Sequence, residues 1–163
     1  MIWNPLKEGE DHINVYSKSI VPLGRALSNF AHFPFRHPIY GKFGSVEAFY
    51  YWLLTGKEHK EIKMLWGLEA KRLGQSLEVK SKINKEFKEQ VSYAIGLKIM
   101  QHKYIMDLLM HSTLPLTHYY YFGDIENPTI RDQYKNHKYM IDAIEFVRVE
   151  LKKQYNVKHK KNK

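Results

Sequence analysis

The sequence predicts an α+β fold, predominantly helical, formed as one domain with a few short strands near the N-terminus. Three observations carry this expectation. From Val46 onward, apolar side chains recur at helical spacing through most of the chain. Before that, Pro22, Gly24, Pro34, Pro38, Gly41 and Gly44 punctuate a stretch too broken for long elements. No internal repeat or Gly/Ser-rich linker divides the 163 residues, a length suited to a single core. Residues 1–155 are therefore read as one unit and residues 156–163 as a basic flexible tail.

The elements follow in order. "INVYSKS" alternates Ile13 and Val15 with polar neighbours, the pattern of a short strand. "VPLGRALSNFAHFPFRHPIYGKFG" reads as a folded loop region with a hairpin near "IYGKFG". Ser45 is placed to cap a helix from about Val46 to Gly56. "KEHKEIKMLWGLEAKRLG" gives one or two short helices with Gly74 as their C-terminal glycine. The strongest helical signal is "NKEFKEQVSYAIGLKIMQHKYIMDLLMHS", where Phe87, Val91, Ala94 and Ile95 form an apolar stripe. "LTHYYYFG" suits an edge strand or an extended active-site segment, and a last helix spans about Asn136 to Gln154.

Composition narrows the function. There are no cysteines, which excludes disulfides, thiolate catalysis and cysteine zinc sites. No run approaches the roughly 20 apolar residues of a membrane span, and no signal-like segment opens the chain, so a cytoplasmic protein without a membrane partner is expected. The formal charge is +9, which favours an anionic partner such as nucleic acid, a nucleotide or a phosphorylated metabolite. Part of that excess lies in the closing "NVKHKKNK". Tyr is the most abundant aromatic, with 12 copies, and suits clefts for flat polar ligands as well as core filling. The histidines are scattered; His32 and His37 form no recognised metal pair, and no metal or cofactor is assigned.

A few residues stand out chemically. Glu47 is the only charged residue between Lys42 and Lys57, and it opens the aromatic run "AFYYWLL". It suits the first turn of a helix through the dipole alone, and it equally suits acid/base work if the rings desolvate it. Lys98 falls on the apolar stripe of its helix. Its side chain either snorkels outward or points into a pocket, where it would hold a phosphate or act as a nucleophile. Ser28-Asn29-Phe30 follows Arg25 in the Pro/Gly-framed loop, and both Asn29 and Arg25 carry groups suited to ligand contacts.

Six segments in order, "LSNFAHFPF", "SVEAFYYWL", "GLEAKRLGQ", "YAIGLKI", "YYFG" and "NHKYMIDAIEFVR", resemble the NADAR (YbiA-like) family over roughly residues 13–148. The family's Gly-Arg, Lys-Phe and Trp-Gly pairs stand here as Gly74-Gln75, Lys98-Ile99 and Phe122-Gly123. A family Trp before the long helix falls near Ile83, and the acid before Trp-Gly falls on Tyr119, leaving Asp124 as its substitute. The resemblance implies a YbiA-like domain with N-glycosidase activity toward a bond to (ADP-)ribose. Its expected substrate is ADP-ribosylated DNA, with reversal of toxin-mediated base modification as a phage anti-defence role. The alternatives are a free phosphorylated riboside, such as a ribosylaminopyrimidine of riboflavin synthesis, and an inactive ADP-ribose or nucleic-acid binding module. On this resemblance Glu47, Lys98 and Asp124 would be catalytic. Arg25, Ser28, Asn29, Phe30, Tyr50, Trp52, Lys71, Phe122 and Gly123 would bind substrate.

Overall fold

The structure, a computed structural model, describes residues 3–160. Strand β1 (Ile13–Asn14) leads to helix α1 (Pro22–Leu27), and β2 (Phe35–His37) and β3 (Gly41–Phe43) form a hairpin. Helices α2 (Val46–Leu54), α3 (Gly67–Ser76), α4 (Lys85–Met100) and α5 (Lys103–His111) follow. Strands β4 (Leu116–Thr117), β5 (Tyr119–Phe122) and β6 (Thr129–Asp132) precede the closing α6 (Lys138–Lys160). The α+β reading holds, with helices supplying most of the structure. The strands pair only in twos: β1 with β4 in parallel, β2 with β3 and β5 with β6 antiparallel.

Helix α4 is the central strut. Asn84 caps it by accepting from the Phe87 N–H, and it packs against α6, α2, α5 and β2. Its stripe of Phe87, Val91, Ala94, Ile95 and Ile99 is buried as the spacing predicts. Ser45 caps α2, its hydroxyl accepting from the Ala48 N–H at 3.0 Å. Among the described residues no helix is long and apolar enough to cross a membrane.

Four local expectations change. The 21–44 region is not all loop, because α1 forms within it. Proline is compatible with a first helical turn, and Gly24 lets the helix lie directly on Asn14 and Ser19, where a Cβ would collide. Gly74 does not end α3, which continues to Ser76; its missing side chain instead admits the Tyr51 ring. The long helical segment breaks after Met100 because Gln101 and His102 bond elsewhere. The Gln101 amide exchanges hydrogen bonds with the Arg36 backbone, and a His102 ring nitrogen meets the Pro34 carbonyl. Finally, α6 runs past Gln154 to Lys160, and the last part of the expected flexible tail, residues 161–163, lies outside the described residues.

Candidate functional site

The Ser28-Asn29-Phe30 loop, directly after α1, is the organising piece. Three carbonyls over residues 26–28 receive the Lys98 ammonium: Ala26 at 2.8 Å, Leu27 at 3.1 Å and Ser28 at 3.0 Å. The Asn29 carbonyl then accepts the Glu47 N–H at 3.0 Å, and the Phe30 carbonyl accepts the Gly67 N–H at 3.1 Å. One short segment therefore holds α4, the first turn of α2 and the start of α3 in register.

In front of that loop opens a cavity of about 770 Å³. Ser28, Asn29 and Phe30 form one wall, and Glu47, Tyr50 and Tyr51 project from α2. Lys71 of α3 joins them, and Tyr120, Phe122 and Arg131 come from the β5–β6 hairpin. Hairpin register explains the last group: Tyr120 and Phe122 alternate onto one face of β5, and Arg131 stands opposite Tyr120. The floor includes Met140, Ile141 and Ile144 of α6, with the Asn29 amide nitrogen 3.2 Å from the Met140 sulfur. Lys18 adds a further cation to the wall, Tyr16 a further ring.

Glu47 is the chemical centre of this space. Its carboxylate has no hydrogen-bond or ion-pair partner among the described residues. Burial pushes its pKa up to about 7, against the opposing pull of the Lys71 charge. Desolvation, and then the Glu47 charge, raise the Tyr50 and Tyr120 hydroxyls, and Tyr51 reaches about 12. These phenols therefore stay protonated near neutrality, as donors beside the carboxylate. A carboxylate balanced between its two forms, ringed by donors and aromatic faces, suits proton transfer and stabilisation of a developing cation.

The other expected site residues divide. Ser28, Asn29, Phe30, Tyr50, Lys71 and Phe122 meet Glu47 at the cavity. Trp52 does not: it is buried with Phe43, Phe49 and Tyr40, on a different face of α2 from Glu47. Arg25 donates to the Ser19 carbonyl at 2.7 Å and lines an adjoining groove rather than the cavity. Gly123 and Asp124 stand exposed in the β5–β6 turn, where the Asp124 carboxylate accepts the Glu126 N–H. Lys98 is fully buried behind the Ser28 loop and lies outside the cavity lining. Burial pushes the Lys98 ammonium down to about 7. The carbonyls oppose that shift, since only the protonated amine has three hydrogens to give them. His118, His137, Tyr16, Lys18 and Arg131 line the cavity without having been singled out in the sequence. For Arg131 the period-2 pattern of the hairpin was the available signal; for His118 and His137 there was none.

No family model matches this sequence, and no characterised protein matches it either. Among solved structures the chain is similar to the E. coli protein YbiA, determined by NMR. The superposition has a TM-score of 0.60 at 20% sequence identity and covers 92% of this chain and 88% of that one. With coverage of nearly the whole length of both chains, the chain has a YbiA-like fold.

Proposed function

We propose that the chain is an N-glycosidase that hydrolyses a bond between a base and (ADP-)ribose, acting on ADP-ribosylated bases in DNA and so reversing their toxin-mediated modification. The observation that carries this reading is Glu47: an unpartnered carboxylate with a pKa of about 7, facing an aromatic cavity large enough for a nucleotide.

In the proposed reaction the carbon–nitrogen bond lengthens, its electron pair leaves with the base, and positive charge gathers on the sugar. The ionised Glu47 stabilises that oxocarbenium-like state and takes a proton from the water whose oxygen bonds to the anomeric carbon. The base nitrogen gains a proton, from Glu47 or from solvent, and both products leave neutral at the cleaved bond. Lys18, Lys71 and Arg131 supply cations for the ligand's phosphates. Phe30 and Phe122, each within 5.8 Å of a cation at the ring centroid, offer faces for a base. Lys98 serves as a positioning residue, holding the carbonyls of the loop that carries Asn29.

The test is release of ADP-ribose from ADP-ribosylated DNA, run beside a free ribosylaminopyrimidine phosphate. Wild-type protein is expected to release sugar from the DNA, and Glu47→Gln to lose about 100- to 1000-fold in turnover with its fold intact. Near-wild-type turnover by that variant removes Glu47 from the chemistry. Release from the free pyrimidine riboside alone moves the substrate to a metabolite.

A further inference from the structure

The groove that Arg25 lines has no role in the reaction as drawn. It measures about 410 Å³ and adjoins the cavity, with Ser17 and Phe30 lining both spaces. Two helices supply its outer side. Helix α1 buries Leu23 and Leu27, which turns Pro22 and Arg25 outward along the opposite face. Helix α5 buries Ile105 and Leu109, and Tyr104, one position before Ile105, is left 54% exposed. Arg25 and Tyr104 meet Phe33 in the groove, where the Phe33 and Tyr104 rings lie nearly parallel, 9° apart with centroids at 6.2 Å.

The charge of this groove is one-sided. Arg25 donates to the Ser19 carbonyl through one terminal nitrogen, and the rest of its guanidinium has no protein partner among the described residues. No acidic residue lines the groove. On the cavity side, Lys71 holds its ammonium 5.8 Å from the Phe30 ring centroid. Phe30 thus stands where the two spaces meet, with a cation in each. A lipid tail or an apolar peptide would set hydrocarbon against Arg25. An acidic peptide would pair with Arg25 and leave the parallel rings unused. A nucleotide uses both, because its phosphate pairs with a guanidinium and its base stacks on aromatic faces.

We propose that the groove binds single-stranded DNA, holding the nucleotide next to the modified base with its base on Tyr104 and Phe33 and its phosphate on Arg25. The strand crosses Phe30 on its way out of the cavity, the one ring common to both spaces. The groove has room for about one nucleotide, so it reads the nearest neighbour and no more. A single strand is required because the bases of a duplex stack on one another and offer no free face to a side chain. Neither Tyr104 nor Arg25 is spent on the core, since both side chains face solvent. The inference rests on the glycosidase reading for the identity of the polymer that enters the cavity.

The probe is a short unmodified oligothymidylate, which carries no ADP-ribose. Wild-type protein is expected to bind it, with the Phe33 and Tyr104 ring resonances shifting on titration. Tyr104→Ala, at an exposed position, should keep its melting temperature while the Kd for the strand rises roughly tenfold and the Kd for free ADP-ribose holds. Arg25→Gln keeps a donor for the Ser19 carbonyl but removes the charge. It should flatten the slope of log affinity against log salt by about 0.7, the value of one phosphate contact to a single strand. Annealing the strand to its complement should abolish the effect of Tyr104→Ala. Absence of strand binding, unchanged strand affinity in folded Tyr104→Ala, an unchanged salt slope in Arg25→Gln, or an equal loss on the duplex or on free ADP-ribose overturns the proposal. These outcomes separate from those of the glycosidase test, because none needs turnover. Strand binding through Tyr104 without release of ADP-ribose refutes the hydrolase, whereas release from ADP-ribosylated DNA with a KM indifferent to Tyr104→Ala refutes the groove.

Discussion

Replacing Glu47 by Gln should do more than stop a reaction; it should stabilise the protein, and only above a defined pH. The Glu47 carboxyl is raised from 4.5 to about 7 because burial penalises its charged form. A group raised in the folded state contributes its full stability below the unfolded pKa and loses it as pH climbs through the folded one. Below 4.5 the residue is therefore neutral in both states, and Glu47→Gln should melt with the wild type. Between 4.5 and about 7 the wild type loses ground, and beyond that the difference is constant. The full shift corresponds to a ceiling of roughly 3 kcal/mol. Water in the open cavity screens part of it, so about 1–2 kcal/mol is expected, or roughly 3–6 °C in Tm for a chain of this size.

Thermal melts of both proteins across an acid-to-alkaline series measure this directly. The expected result is a Tm difference near zero at the acid end that grows through the neutral range in favour of the variant. A difference that is constant with pH, or that favours the wild type above neutrality, would refute the claim that Glu47 is held against solvation. Stability lost to a carboxylate that the fold does not otherwise use is the signature expected of a functional group.

Three further outcomes follow from the same geometry. Lys71→Gln removes the cation that lowers the Glu47 pKa, so the acid limb of the kcat/KM profile should move to higher pH; movement to lower pH would break the link between the two. Lys98→Met leaves three carbonyls without their donor and should cost about 2–4 kcal/mol in denaturant melts, while borohydride should trap no adduct on wild-type Lys98 during turnover. An adduct on Lys98 would restore it as a nucleophile. Affinity for ADP-ribosylated DNA should fall steeply with salt, and deletion of residues 158–163 should flatten that slope without changing binding of free ADP-ribose; a flat response in the full chain would argue against a DNA substrate.

Much of the scaffold was legible because it is local. The Ser45 cap, the α4 stripe and the β2–β3 hairpin are set by residues within a few positions of one another. Glu47 could be found for the same reason, as one charge inside an aromatic run. Trp52 illustrates a signal present but unused. Residues three and four along a helix share a face, so Tyr50 and Tyr51 accompany Glu47 into the cavity, whereas Trp52, five along, turns into the core. Asp124 fails for a different reason. Proximity to Gly123 placed it near the motif, but the exposed loop over residues 123–128 carries it out of the cavity lining. The His118–His137 pair had no local signal, because it depends on β4 pairing with β1 a hundred residues earlier and on α6 closing over the result.

Lys98 was legible as an anomaly and not as a mechanism, and the distinction shows how the cavity is built. A lysine on a buried stripe must find acceptors, and periodicity cannot say where. Here they are main-chain carbonyls some seventy residues upstream, at the end of α1. The same segment then gives its next carbonyls to the Glu47 and Gly67 amides. The carboxylate's position is thus fixed through backbone atoms, in a chain running from Lys98 to the Ser28 loop to the first turn of α2. Side chains in the loop remain free to face the cavity, as Asn29 and Phe30 do, while the residue that aligns them is buried outside its lining. A substitution at Lys98 should therefore disturb the site through Asn29 and Glu47, with loss of stability and of turnover together. One at Asn29 itself should alter ligand affinity while the carbonyl that holds Glu47 stays in place.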